Sequence, residues 1–194
     1  MGMMGGPDEK EAVARVLAGD RDAFRVLVEL HSRSIYKLAY RIMGNDHDAD
    51  DVVQETFLRA YAKLKDFHFE AGLRTWLCRI ASNYCMDLLV KRRQEAAVPM
   101  TAEGPDSAPE VVSPEPDPER LALSSEVGRT VDWAMESLSA RERTAFVMRH
   151  FHGCSIREVG QAMNLTEGSV KQHIFRAVRK IRAAIGPLMM GMAQ

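Results

Sequence analysis

The sequence predicts an all-α protein of two small helical domains joined by a disordered, acidic, proline-rich linker. Three observations carry this. Apolar residues recur at spacings of three and four along most of the chain, with none of the two-residue alternation of a half-buried strand. Helix starts are marked by capping residues: Ser139 and Ser155 each stand three residues before a glutamate. Between 95 and 119 lie six of the eight prolines, seven acidic residues and no lysine or arginine, a composition that cannot bury a core. The domains are therefore expected at 9–94 and 120–186, with the linker at 95–119.

In the first domain, Glu9 to Leu17 reads as a short helix broken at Gly19 and Asp20. Asp22 is placed to cap a long helix from Ala23 to about Met43, with Phe24, Leu27, Val28, Tyr36, Leu38, Ala39 and Ile42 on its apolar side and Gly44 and Asn45 ending it. Asp48 is expected to cap the next, Ala49 to Leu64, whose stripe Ala49, Val52, Val53, Thr56, Phe57, Ala60 and Leu64 is the most regular helical pattern in the chain. The opposite face carries Asp51, Gln54, Glu55 and Arg59. Phe67 to Gly72 reads as an aromatic-rich loop. Thr75 to Val90 follows as a helix through Trp76, Leu77, Ile80, Ala81, Tyr84 and Leu88, ending in Lys91, Arg92 and Arg93.

Beyond the linker, Leu121 to Leu138 predicts a helix. The capping box of Ser139 and Glu142 opens another over Ala140 to His152, and Gly153 suits its left-handed stop. Ser155 with Glu158 starts a short helix through Ile156, Val159 and Met163. Gly160 lies inside it, where glycine costs about 1 kcal/mol relative to alanine, so a helix crossing closely at that point is expected. Asn164 is the turn residue and Thr166 the next N-cap. Val170, Ile174, Ala177, Ile181 and Ala184 then form one buried stripe, until Gly186 and Pro187 stop the helix. Phe175 falls roughly 120° from the stripe's centre. It points outward, among Lys171, Gln172, Arg176, Arg179 and Arg182.

Two helices around a three-residue turn, the second basic with an outward aromatic, form the pattern of a helix-turn-helix that reads DNA. Cations suit phosphates, and polar or aromatic groups suit base edges. The stretch from Phe67 to Arg93 gives a second nucleic-acid signal. Phe67, His68 and Phe69 sit beside Arg74, Arg79, Asn83 and the terminal basic triplet, and aromatic faces next to cations suit unpaired bases. Trp76 and Tyr84 read as core.

The net charge of −1 conceals a linker at −7, which leaves the remainder at +6. Cys78, Cys85 and Cys154 form no CxxC pair, as expected of small core thiols in a reducing cytosol. No apolar run is long enough for a membrane span and the first ten residues lack the pattern of an export signal, so no membrane insertion and a cytoplasmic location are expected. A calcium loop on Asp46, His47, Asp48, Asp50, Asp51 and Glu55 fails, with Asp51 where glycine is needed and Phe57 where glutamate is needed. His150, His152 and Cys154 offer three local ligands and read as loop residues, so no metal site is expected. No catalytic motif and no cofactor motif occurs. The alternative of a ligand-sensing helix-turn-helix regulator accounts for Cys154 to Arg182 but leaves Asp48 to Arg93 without a role.

DADDVVQETFLRAYAKLKDF (48–67), RTWLCRIASNYCMDLLVKRR (74–93) and the region from Leu138 to Arg182 together resemble the bacterial sigma-70 family of RNA polymerase sigma factors, in its short extracytoplasmic function (ECF) group. The resemblance implies a non-enzymatic initiation factor. It makes Asp51, Gln54 and Glu55 contacts to the clamp helices of the polymerase largest subunit. It makes Phe67, His68, Phe69, Arg74, Arg79, Asn83, Lys91, Arg92 and Arg93 the readers of a melted −10 element. Thr166, Ser169, Lys171, Gln172, Phe175, Arg176 and Arg179 become the readers of the −35 element. The implied partners are core RNA polymerase, including the flap of its second-largest subunit, promoter DNA and an anti-sigma factor. The implied location is cytoplasmic, at the nucleoid when active and at the membrane when held by such a factor.

Overall fold

The computed structural model describes residues 7–67, 72–97 and 134–191. Among them are seven α-helices and no strand: α1 (Pro7–Leu17), α2 (Ala23–Met43), α3 (Asp46–Lys63), α4 (Leu73–Ala97), α5 (Ala140–His150), α6 (Ile156–Met163) and α7 (Glu167–Gly191). A 3₁₀ turn at Leu64–Asp66 follows α3. No helix among the described residues is long and apolar enough to cross a membrane.

The stripes read from the sequence face inward. Leu27, Ile35, Leu38 and Ile42 of α2 meet Ala49, Val52, Phe57 and Ala60 of α3 and Leu77, Cys78, Ala81 and Cys85 of α4. Trp76 is buried there, as its spacing implied. In the second body, Ala145, Val147 and Met148 of α5 pack with Val159 and Ala162 of α6 and with Val170 and Ala177 of α7. Both capping boxes form, at Ser139 with Glu142 and at Ser155 with Glu158.

Several boundaries differ from expectation. Asp22 already has helical backbone angles and caps nothing; Asp20 Oδ1 accepts from the amides of Asp22 and Ala23 instead, while Arg15 holds its carboxylate. Asp48 does not cap α3 either. Gly44 turns left-handed at φ 86°, which sets Asn45 in an extended conformation whose Oδ1 accepts from the Asp48 amide at 2.9 Å. Asp48 thus lies inside the helix. α4 begins at Leu73 and runs to Ala97, three residues into the expected linker. α5 ends at His150 rather than His152, and Gly153 makes the left-handed stop at φ 69°. The helix expected over 121–138 is described only in its last turn, at 134–136. Gly186 and Pro187 do not stop α7, which continues to Gly191: proline removes one hydrogen bond and bends a helix more readily than it ends one. The rest of the linker and His68, Phe69 and Ala71 lie outside the described residues.

The two bodies touch through α2 and α4 on one side and α5 and α6 on the other. Arg143 Nη1 donates to the Ile42 carbonyl at 3.3 Å, at the negative end of the α2 dipole. Its Nε and Nη2 donate to the Met135 carbonyl. Arg41 lies over the Phe151 ring at 4.2 Å, and Thr144 Oγ1 is 3.4 Å from Met86 Sδ. The two cores form one apolar cluster across this joint.

Candidate nucleic-acid and polymerase interface

The helix-turn-helix is α6 and α7. Asn164 adopts the left-handed conformation at φ 52°, the one non-glycine residue with positive φ among those described. Its amide bonds back to the Gly160 carbonyl, as does that of Leu165, so the chain reverses within three residues. Gly160 is required here because a Cβ would stand 2.8 Å from the Leu165 carbonyl oxygen. The close approach is to the turn itself rather than to a crossing helix. Thr166 Oγ1 accepts from the Ser169 amide at 3.2 Å and lies 2.9 Å from Ser169 Oγ, so both hydroxyls are engaged in starting α7.

Along α7, Lys171, Gln172, Phe175, Arg176 and Arg179 are all exposed, on one continuous face. Phe175 is 67% exposed. The inward side is fixed by Lys180, whose Nζ donates to Glu142 Oε2 at 2.7 Å. Burial pushes the Glu142 carboxyl up, and the Lys180 ammonium with the Ser139 amide outweighs it to leave the group below its usual value. One glutamate thereby completes the α5 cap and clamps α7 onto α5.

The α4 face is divided. Arg79 and Asn83, four residues apart, are exposed on one side. Arg74 is exposed too, near enough to His31, His152 and Cys154 to act on each electrostatically. Phe67 is not presented on a loop: it is buried with its ring 5.1 Å from that of Trp76, because the 3₁₀ turn before it directs the chain back onto α4. Lys91 and Arg93 are exposed. Arg92 is committed elsewhere, its guanidinium gripping both oxygens of Asp48, which is 4% exposed. That pairing, helped by Asn45 Nδ2 at 2.6 Å, holds the Asp48 carboxyl below the usual range against the opposing effect of burial.

On α3, Asp51 and Gln54 are exposed and Glu55 is half-buried, accepting from Arg59 Nε at 2.6 Å while Arg59 lies over Tyr84 at 4.6 Å. His47 Nδ1 is 3.5 Å from Asp51. The sequence reading missed Leu58, 67% exposed one turn beyond Gln54 and Glu55. Its signal was an apolar residue off the buried stripe. His47, Asp48 and Asp51 bring ligand atoms together, but a cation there would compete with the Arg92 guanidinium. His150, His152 and Cys154 diverge: His150 packs on the Phe146 ring at 4.6 Å, while His152 Nδ1 is 3.8 Å from Cys78 Sγ across the joint.

Burial, together with the Arg74 and Arg41 guanidinium groups, holds His152 down to about 4, against 6.5 for a free imidazole. Between those values the unfolded or parted chain carries a proton that the closed chain excludes. Closure is therefore at full strength above pH 6.5 and should weaken by about tenfold per pH unit as pH falls toward 4. His31, His150 and His173 are shifted the same way. A hydrodynamic and denaturant titration checks this: His152→Gln should remove one proton from the slope, and an unchanged slope would assign the effect to the other three.

Comparison with known proteins identifies the family. The family model "Sigma-70 region 2" matches residues 27–95, and "Sigma-70, region 4" matches residues 129–181. The ECF RNA polymerase sigma factor SigW of Bacillus subtilis is 31% identical, over 92% of this chain and 97% of its own length. The RNA polymerase sigma-H factor of Pseudomonas aeruginosa is 34% identical, over 93% of this chain and 95% of its own length. Among solved structures, CnrH in complex with the cytosolic domain of CnrY is similar at 26% identity and a TM-score of 0.63, covering 93% of this chain and 99% of that one. The sigma factor RpoE of Bartonella quintana, solved with the anti-sigma factor NepR, shares the fold at 21% identity and a TM-score of 0.63, covering 84% of this chain and 96% of that one. With regions 2 and 4 in that order, and relatives about a third identical along almost their whole length, the chain belongs to the ECF group of sigma-70 family RNA polymerase sigma factors.

Proposed function

We propose that this sigma factor divides its work among the three surfaces just described. The protein binds core RNA polymerase and directs initiation at promoters, as its family does. Asp51, Gln54 and Glu55, with Leu58 at the end of their face, dock on the clamp helices of the polymerase. Arg79 and Asn83, with His68, Phe69, Arg74, Lys91 and Arg93, take the melted −10 strand. Lys171, Gln172, Phe175, Arg176 and Arg179 read the −35 duplex, while region 4 meets the flap of the second-largest subunit. Thr166 and Ser169 contribute by setting the N-terminus of α7 rather than as free hydroxyls.

The observation that carries this reading is Phe175: a large apolar side chain two-thirds exposed among four cations and an amide, on the second helix of a helix-turn-helix. The joint bears on mechanism. Positions −35 and −10 are about 85 Å apart at about 3.4 Å per base pair. Two readers held in one compact body lie within about 40 Å. The bodies must therefore part for both elements to be read, and the closed form is the resting one. An anti-sigma factor that holds them together would keep the protein inactive, and the RpoE structure above was solved with such a partner. The active protein works in the cytoplasm at the nucleoid, and a membrane-anchored anti-sigma factor would retain the inactive one at the membrane.

Gln54→Ala combined with Glu55→Ala should lower affinity for core polymerase while −35 DNA binding persists; undiminished polymerase binding would remove the α3 assignment. Arg176→Ala should cost about 1–3 kcal/mol of −35 binding with specificity relaxed at one base pair. An equal loss on random duplex would reduce Arg176 to a phosphate contact.

A further inference from the structure

Cys78 and Cys154 come from different regions and meet at the joint. Cys78 lies in α4, in the middle of the −10 reader, and is 0% exposed; Cys154 lies in the short connection between α5 and α6 and is 1% exposed. The two thiols act on each other electrostatically across the α4–α6 contact, and His152 Nδ1 is 3.8 Å from Cys78 Sγ. Arg149 Nη1 donates to the Cys154 carbonyl at 3.1 Å. Two free thiols from opposite sides of a joint that must open, with an imidazole beside them, exceed what packing requires of small core residues.

We propose that Cys78 and Cys154 are a redox site: a hydroperoxide joins them in a reversible disulfide that locks region 2 against region 4. The consequence for transcription rests on the reading that the two regions part to span a promoter. Both thiols are covered in the closed form, so the oxidant reaches Cys154 when the joint opens. The Cys154 thiolate attacks one peroxide oxygen, the O–O bond breaks, and Cys154 becomes a sulfenic acid as the other oxygen leaves and is protonated to water. On reclosure the Cys78 thiol attacks the Cys154 sulfur. The S–S bond forms, the S–O bond breaks, and the departing oxygen takes up the Cys78 proton and leaves as water. In total two thiols lose two hydrogens and one hydrogen peroxide is reduced to two waters. The disulfide requires the two sulfurs to close to about 2 Å.

The electrostatics agree with these roles. In the closed form Cys78 first, with Arg74 and Arg149, lowers the Cys154 thiol; Cys78 and Arg74 belong to α4 and leave when the bodies part, while Arg149, which donates to the Cys154 carbonyl, belongs to the same body as Cys154. His152 is held neutral at ordinary pH, so it adds no charge beside the thiols. Cys85 lies deeper along α4, where burial pushes its thiol up to about 12, and it serves as the internal control.

The test uses the full-length reduced chain treated with hydrogen peroxide. Non-reducing peptide mapping should show Cys78 linked to Cys154 with two hydrogens lost and Cys85 still free. Run-off transcription with core polymerase should fall at least tenfold and return with dithiothreitol. Cys154→Ser and, separately, Cys78→Ala should form no link and should initiate equally with and without peroxide; either variant suffices if the other fails to fold. No link, a link through Cys85 or a link between chains overturns the site. A Cys78–Cys154 link that leaves transcription unchanged overturns the lock. Peptide mapping needs no polymerase, so reduced protein that fails to initiate would count against the promoter reading and not against the disulfide.

Discussion

Replacing Arg92 with alanine is expected to destabilise the protein by about 1–3 kcal/mol, the guanidinium being half-exposed and its carboxylate partner covered. The reason is Asp48, whose carboxylate is buried inside α3 and held by the Arg92 guanidinium, with Asn45 as the lesser support. Removing the cation leaves a buried charge with one hydrogen bond. Arg92→Lys should recover only part of the loss, because an ammonium cannot grip both oxygens as the planar fork does. Asp48→Ala with Arg92→Ala should be more stable than Arg92→Ala alone, since the uncompensated charge goes with its partner. Denaturant unfolding of the three variants checks the order. The pH dependence has a defined sign. Asp48 is lowered from 3.8 in the folded chain, so its contribution is present above pH 3.8 and disappears as pH falls through the folded value. The Arg92→Ala variant should lose that part of the acid limb. If it instead unfolds like the parent and fails only in −10 binding, the structural role given to Arg92 is wrong.

Gly160→Val is expected to cost about 2 kcal/mol and to abolish −35 recognition. Its Cβ would meet the Leu165 carbonyl oxygen at 2.8 Å, a backbone atom that cannot rotate away, and Val170 Cγ2 lies 3.8 Å off on the next helix. The turn must therefore shift, and α7 with it. Gly168→Ala is the control: its Cβ would meet nothing closer than Thr166 Oγ1 at 3.9 Å. That change should be neutral or stabilising by about 0.5–1 kcal/mol, through the lower entropy of the unfolded chain. Thermal denaturation alongside −35 duplex binding separates the two outcomes. Parent-like duplex binding by Gly160→Val would show that the turn does not set the reader's angle.

The helix-turn-helix was legible almost to the residue because each of its determinants is local. A serine and a glutamate three apart make a cap, Asn164 accepts a left-handed turn, and helical phase alone sends Phe175 outward. The polar face of α3 was legible for the same reason, apart from Leu58, which the stripe left unassigned. Boundaries set by competition between neighbouring acids were less legible. Asp20 displaced Asp22 and Asn45 displaced Asp48, because which side chain reaches an amide depends on the backbone angles of the preceding turn.

The sequence by itself determined the helical class, the order of the two regions, the helix-turn-helix and its outward face, since those follow from periodicity and capping within a few residues. Only the tertiary structure decided that Arg92 serves Asp48, that Phe67 lies on Trp76 in the core, and that Cys78 stands beside Cys154 and His152. Those pairings join Asp48 to Arg92 and Cys78 to Cys154 across long separations in the chain. No local pattern marks such a contact, because it is fixed by how packed helices bring distant faces together.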